Sequence, residues 1–337
     1  MRIVLNKIIA LLLTGSAVHA AEEVTVYSYR HYEADQKLYE QFTAETGIKV
    51  NTQKAKADAL ITRIQTEGDK SPADLFIAAD VGRLVKAREE GILQPATSEL
   101  LQKQVPAELR DSENFWTGFT VRARVIAYAK NRVKKGEITS YDDLTKPEWK
   151  GRVIARSSSN IYNQSLLAAY IANHGEAKGL QWARAVHKNM ARQPEGSDRD
   201  QMRAVAAGIA DACIVNTYYV GLLANSEDEK DRQVAEKIAI CFPDQDGTGT
   251  HINISGGAVC KHAPNKENAI KLLEFLTSNK AQSTFSERTN EYPLIRENAT
   301  SELLKQWGPF KADPIKLDTI GKFRKAAAIT FLKAGWK

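Results

Sequence analysis

The segment that follows the apolar N-terminus alternates between strand-like and helix-like patterns, and this order restricts the fold strongly. Residues 24–28, 48–52 and 74–78 are predicted strands, and amphipathic helices are predicted between them, the first ending at Gly47. A strand–helix–strand–helix–strand order predicts a parallel sheet with helices on its faces. Such sheets bind ligands beyond the carboxyl ends of their strands. The sequence therefore predicts an α/β fold with its site at the strand ends.

The length of the chain predicts two lobes. The sequence has 337 residues, and a single hydrophobic core rarely extends beyond roughly 250–300 residues. Two β-rich passages would carry the chain from one lobe to the other and back, the first at residues 115–131 and the second at residues 238–242 and 252–261. We expect lobe 1 to comprise residues 21–122 and 254–300, and lobe 2 to comprise residues 123–253 and 301–337.

The N-terminus has the pattern of a secretory signal peptide at residues 1–20. Arg2 and Lys7 precede an apolar run at residues 8–13, and small residues follow as far as Ala20. The run is too short to span a bilayer, so we expect cleavage after Ala20 and export of the remaining chain. Without Arg2 and Lys7 the formal charge falls from +6 to +4. This mild basicity does not indicate a nucleic-acid partner.

The chain has three cysteines, Cys213, Cys241 and Cys260. Three are too few for a disulfide scaffold, and they lack the C-x-x-C spacing of a zinc site. In an oxidising compartment two arrangements remain open: one disulfide bridge with one free thiol, or three free thiols.

Phenol side chains recur at three junctions where a predicted strand is followed by a helix. Phenolate oxygen is a hard anionic donor, which suits the hard Fe(III) ion better than Cu(I) or Zn(II). Each tyrosine taken singly is also explained as a half-buried structural residue, so the repetition carries the hypothesis. The candidate metal ligands are His31, Tyr32, Tyr162, Tyr218 and Tyr219.

The charge of this ligand set fits a trivalent cation. Four phenolates around Fe(III) leave a net charge of about −1, with the neutral His31 as a fifth donor. The cation also favours deprotonation of phenols whose free pKa is about 10. Arg30 and Arg203 are candidates to offset the excess negative charge.

Several segments of the chain resemble the bacterial periplasmic ferric-iron-binding proteins. They follow in order at residues 29–32, 149–152, 156–163, 216–219, 242–245 and 251–256. In that family a His-Tyr pair from the first lobe and three tyrosines from the second hold the iron, and these positions match His31, Tyr32, Tyr162, Tyr218 and Tyr219. The resemblance implies a two-lobed periplasmic solute-binding protein (type II binding fold) that closes around Fe(III). It also implies delivery of the iron to an inner-membrane ABC permease.

Other classes of protein are weighed against this one. A binder of an organic solute, such as a polyamine, thiamine or a phosphonate, has the same architecture and remains the alternative; the polar loop at residues 157–160 offers hydroxyls to an anion. A secreted hydrolase is disfavoured because the chain has no G-x-S-x-G or H-E-x-x-H motif. We therefore expect a monomeric binding protein rather than an enzyme.

Overall fold

The computed structural model describes residues 22–30 and 32–337. The predicted signal peptide at residues 1–20 and the candidate ligand His31 lie outside the described residues. Within the described ranges, no helix is both long enough and apolar enough to cross a membrane.

Strands and helices alternate along the chain, which confirms the predicted α/β class. The strands are β1 (Glu23–Ser28), β2 (Lys49–Lys54), β3 (Leu75–Ala78), β4 (Thr117–Ala129), β5 (Val153–Ile154), β6 (Ala212–Asn216), β7 (Ile238–Cys241) and β8 (Ile252–Val259). The helices are α1 (Glu33–Thr46), α2 (Ala57–Glu67), α3 (Val81–Glu89), α4 (Glu99–Gln104), α5 (Ile161–His174), α6 (Glu176–Lys188), α7 (Asp198–Ala206), α8 (Thr217–Ala224), α9 (Glu229–Lys237), α10 (Lys266–Leu276), α11 (Asn279–Thr289), α12 (Glu302–Trp307) and α13 (Leu317–Ala334).

The strands form one sheet in the order β2-β1-β3-β8-β4-β6-β5, and β7 also pairs with β4. The pairs β1–β2 and β1–β3 are parallel, as the strand–helix alternation predicts. Strand β8 is antiparallel to both β3 and β4, and β4 is antiparallel to β6. The long strands β4 and β8 therefore connect the parallel strands β1–β3 to the strands β5–β7.

Strand β4 changes partners midway. Residues 117–123 pair with β8, whereas residues 124–129 pair with β6 and β7. The sequence indicates separate β-like stretches at residues 119–121 and 125–129, but the structure has one continuous, fully buried strand with a bulge between Gly118 and Thr120. The lobe boundaries at residues 122/123, 253/254 and 300/301 stay a prediction.

Helix α5 begins earlier than its apolar pattern indicates. The sequence predicts a start near Gln164, but the helix starts at Ile161 because Asn160 caps it. The Asn160 side chain accepts hydrogen bonds from the backbone N–H groups of Tyr162 and Asn163, at 3.2 and 3.3 Å. Tyr162 therefore belongs to the first turn of α5 rather than to the loop before it.

The C-terminal helix α13 packs against three helices, α3, α5 and α6. The contact with α3 is close at Gly321, where an added Cβ atom would lie 2.5 Å from Cβ of Val85. A larger residue at Gly321 would thus separate α13 from α3.

All three cysteines are free thiols. Cys213 and Cys260 lie in the core, and Cys241 is half-buried, with its Sγ donating to the carbonyl of Ile138 at 3.1 Å. The sequence leaves a disulfide bridge and three free thiols open, and the structure has three free thiols.

Candidate metal centre

Four of the five candidate ligands lie together where the two parts of the sheet meet. Tyr32 directly precedes α1, Tyr162 is in the first turn of α5, and Tyr218 and Tyr219 are in the first turn of α8. The Tyr218 hydroxyl donates to the Tyr162 hydroxyl at 3.3 Å. The ring centre of Tyr218 lies 6.3 Å from that of Tyr32 and 4.2 Å from that of Tyr219. His31 is adjacent to Tyr32 in sequence but outside the described residues.

The local sequence explains why these phenols meet. Strands β1, β5 and β6 each end just before the junction that carries a tyrosine, so all the phenols follow the carboxyl ends of strands. At the end of β6, the hydroxyl of Thr217 accepts from the backbone N–H of Ala123 on β4 at 3.3 Å. This bond attaches the first turn of α8 to the long crossing strand and so positions Tyr218 and Tyr219.

Burial holds the phenols in the protonated form. Tyr162 and Tyr218 are only 8% and 2% exposed, while Tyr32 and Tyr219 are half-buried. Burial raises the pKa of all four above the ordinary value of 10.0, because a phenolate loses its hydration in a low-dielectric site. A trivalent cation among them would reverse this preference, since its charge favours the phenolate form.

Three arginines that the sequence reasoning missed surround Tyr162. The guanidinium carbons of Arg122, Arg124 and Arg156 lie 5.2, 5.9 and 6.0 Å from the centre of the Tyr162 ring. Arg122 and Arg124 are two residues apart on β4 and therefore point to the same side of the strand. Two arginines at this spacing in an otherwise apolar strand could have been recognised in the sequence as candidate site residues, because charged side chains are rarely buried unless they are paired.

Of the two cations predicted to lie near the ligands, the structure places only Arg30 there. Its guanidinium carbon lies 4.8 Å from the centre of the Tyr32 ring. The prediction is wrong for Arg203, which pairs instead with Asp231 at 2.8 Å and Asp200 at 3.0 Å. These partners lie on α7 and at the start of α9, so Arg203 stabilises the packing of those helices.

The four arginines at the site are balanced by four carboxylates. The ion pairs are Arg30–Asp35 (2.9 Å), Arg30–Glu291 (2.9 Å), Arg122–Asp80 (3.7 Å), Arg124–Asp198 (2.9 Å) and Arg156–Asp198 (3.4 Å). The balance is uneven in space: three arginines and two carboxylates lie on the Tyr162 side, and one arginine and two carboxylates on the Tyr32 side. The field on the Tyr162 side therefore favours phenolate more than the field around Tyr32 does.

Asp80 joins three elements beside the tyrosines. It caps α3 by accepting from the backbone N–H of Gly82 at 2.8 Å, and it accepts from the side-chain amide of Asn253 on β8 at 2.9 Å. The hydroxyl of Ser165 on α5 lies 3.0 Å from both carboxylate oxygens. Because Ser165 is one turn after Tyr162, the same helix carries a phenol and the hydrogen bond to α3.

Other kinds of metal site find no support in the described ranges. Among residues 22–30 and 32–337, no group of three or more His, Cys, Asp or Glu side chains is arranged to hold a metal ion. His251 lies buried directly before β8, where burial and the charges of Arg124 and Arg122 lower its pKa to about 3. A neutral His251 beside two arginines belongs to the packing of the crossing strands.

Residues 70–312 match the family described as bacterial extracellular solute-binding protein, and the chain belongs to this family. Among curated relatives, iron uptake protein A1 of Synechocystis sp. is 47% identical over 94% of this chain and 88% of its own length. The major ferric iron-binding protein of Neisseria meningitidis is 27% identical over 93% of each chain.

Two solved structures extend this similarity to the fold. The Trichodesmium protein IdiA (FutA), solved in complex with iron and citrate ligands, has a TM-score of 0.90 and 49% identity, covering 94% of this chain and 100% of that one. The ferric binding protein from Campylobacter jejuni has a TM-score of 0.89 and 42% identity, covering 93% and 100%. These neighbours confirm the predicted two-lobed, periplasmic binding-protein fold.

Proposed function

We propose that this chain captures ferric iron in the periplasm and delivers it to an inner-membrane ABC permease. One observation carries the proposal: phenols from three separate junctions, Tyr32, Tyr162 and the pair Tyr218 and Tyr219, lie together beside buried arginines. Phenolate oxygens are the donors that Fe(III) prefers among protein side chains. The relatives named for iron uptake and ferric iron binding support the same cargo.

The proposed ligands are the four phenolates and His31. Four phenolates and one Fe(III) carry a net charge of about −1, within a frame whose four arginines and four carboxylates cancel. Burial keeps the phenols protonated in the iron-free protein. They therefore release their protons when the cation binds. The excess charge of the loaded site is small, so this chain needs no additional anion to neutralise iron.

We expect the two lobes to bind the ion in order. Tyr162, Tyr218 and Tyr219 follow β5 and β6, whereas Tyr32 follows β1 at the other end of the sheet. Three phenols on the arginine-rich side would hold iron first, and closure would then add Tyr32 and His31. An ion bound by both lobes stabilises the closed form because the open form lacks that cross-link. Reduction would favour release, since Fe(II) is softer and less charged.

The electrostatics of the site disfavour a polyamine as the cargo. A polyamine needs unpaired carboxylates, but Asp35, Asp80, Asp198 and Glu291 are each engaged by an arginine. Cationic amines would also meet three guanidinium groups around Tyr162. The chain belongs to a family of solute-binding proteins, which supports a binding role for this site.

The colour of the loaded protein tests the proposal. Purified protein with one equivalent of Fe(III) should become orange to red through phenolate-to-iron charge transfer, and Tyr219→Phe should weaken or bleach the band. Tyr170→Phe is the matched control, because the Tyr170 hydroxyl donates to Asp142 outside the site. A colourless wild-type protein that takes up no iron would contradict the proposal.

A further inference from the structure

A second cavity lies where the segment after α11 folds against α12. Its volume is about 340 Å³, which is within the range of small-molecule sites. Its walls are mainly apolar and include Tyr292, Leu304, Pro309 and Phe310. None of its lining residues belongs to the candidate metal centre, so the iron site does not account for it.

A buried hydroxyl without a hydrogen-bond partner lies in the wall of the cavity, on Tyr292. Tyr292 is 2% exposed, and among the described residues its hydroxyl accepts and donates no hydrogen bond. Its ring packs edge-on against Phe310, with 5.4 Å between the ring centres. Because this hydroxyl is itself enclosed, Tyr292 contributes apolar ring surface to the wall and no donor to a molecule in the cavity.

The cavity also contains a guanidinium without a carboxylate. Arg296 lines the wall, its guanidinium carbon lies 4.8 Å from the centre of the Phe310 ring, and no carboxylate in the described ranges forms an ion pair with it. The other two charges in the lining are exposed: Lys305 is paired with Glu302 at 2.8 Å, and Glu297 makes no ion pair with Arg296. Arg296 is therefore available to an anion.

We propose that this cavity binds a small aromatic carboxylate. A planar ring suits walls formed by Tyr292, Phe310 and Leu304, because aromatic faces and edges pack well against one another. The carboxylate accepts from the guanidinium of Arg296, whose fork of N–H donors matches two oxygens. An amine would be repelled by Arg296, and a sugar would leave the apolar walls without a partner.

Benzoate binding to the iron-free protein tests this site. Titration calorimetry or saturation-transfer NMR should show one saturable benzoate site, with benzylamine and benzyl alcohol binding at least about tenfold more weakly. Arg296→Gln should weaken benzoate binding by about tenfold or more, because it removes the donor to the carboxylate, whereas Tyr292→Phe should leave the affinity unchanged, because the Tyr292 hydroxyl is enclosed. Arg288→Gln should bind like the wild type, because Arg288 is exposed on α11 and forms no ion pair with the residues that the structure describes.

Either of two results would overturn the proposal. One is the absence of saturable benzoate binding to the wild-type protein; the other is equal affinity for benzoate and benzylamine. The comparison of the two probes needs no variant, so it stands even if Arg296→Gln folds poorly, which thermal unfolding would reveal. Because no iron is added, the outcome is independent of the proposed iron transport.

Discussion

Replacing Ser165 by alanine should weaken iron binding by about tenfold without removing any proposed ligand. The Ser165 hydroxyl on α5 lies 3.0 Å from both oxygens of Asp80 at the start of α3. Both side chains are buried. In the proposed division these helices belong to different lobes, so the hydrogen bond exists only when the lobes are closed.

The expected loss of iron affinity follows from the hydrogen bonds that Asp80 loses and retains in Ser165→Ala. A hydrogen bond to a charged group contributes roughly 1.5–3 kcal/mol. Asp80 retains its bonds from the Gly82 backbone and the Asn253 amide, so we expect the lower end of this range. A loss of about 1.4 kcal/mol corresponds to a tenfold weaker complex. The lost hydrogen bond lowers iron affinity because it stabilises only the closed form. In the open form water solvates Asp80 in both the variant and the wild type.

Competition with a chelator of known Fe(III) affinity, followed through the phenolate absorption band, measures this change. Small-angle scattering of the iron-loaded and iron-free forms measures closure separately. Ser159→Ala is the matched control, since the Ser159 hydroxyl is exposed and, within the described part of the chain, hydrogen-bonds only with the Ser157 hydroxyl. Iron affinity and radius of gyration that are both unchanged in Ser165→Ala would refute this account of closure.

Three further outcomes are expected. Tyr218→Phe combined with Tyr219→Phe should abolish iron uptake, while Tyr32→Phe should leave a weaker, more open complex; equal loss of binding in titrations of the two variants would contradict the proposed order. Iron affinity should fall as the pH falls, by up to about tenfold per pH unit for each proton released, because the phenols must be deprotonated; a pH-independent chelator competition would contradict phenolate ligands. Asp143→Asn should lower the free energy of unfolding by about 1–2 kcal/mol at pH 7 once solvent screening is allowed for. Burial raises the pKa of Asp143, but hydrogen bonds from Lys146 and the backbone outweigh it and hold that pKa near 2. The stabilisation is therefore present above about pH 4 and is lost as the pH falls through about 2, so in denaturant unfolding the difference between the variant and the wild type should shrink from pH 4 to pH 2 and disappear below that pH.

The order of strands and helices was predictable because periodicity is a local property of the chain. The apolar spacing and the glycine that ends α1 act within a few residues, and the structure has that helix from Glu33 to Thr46. Errors arose where a local cap or a continuous strand was not recognised. Asn160 started α5 before its apolar pattern began, and β4 runs without interruption where the sequence indicates two stretches.

The choice of charged partners was not predictable in the same way. Arg203 was expected near the tyrosines, but it pairs with Asp231, 28 residues further along the chain. Arg124, which was not expected there, lies beside Tyr162 and pairs with Asp198, 74 residues away. Burial forces each charge to find a partner, but which partner it finds depends on how distant segments pack.

The sequence by itself determined that three strand-to-helix junctions carry phenols, because both the junctions and the residue types are local. Only the tertiary structure decided that Tyr32, Tyr162, Tyr218 and Tyr219 meet, and that arginines crowd one side of them. Strands β4 and β8 make this difference, since they connect the two parts of the sheet and bring their carboxyl-end junctions together. Distances between segments remote in sequence depend on this long-range pairing and not on any local pattern.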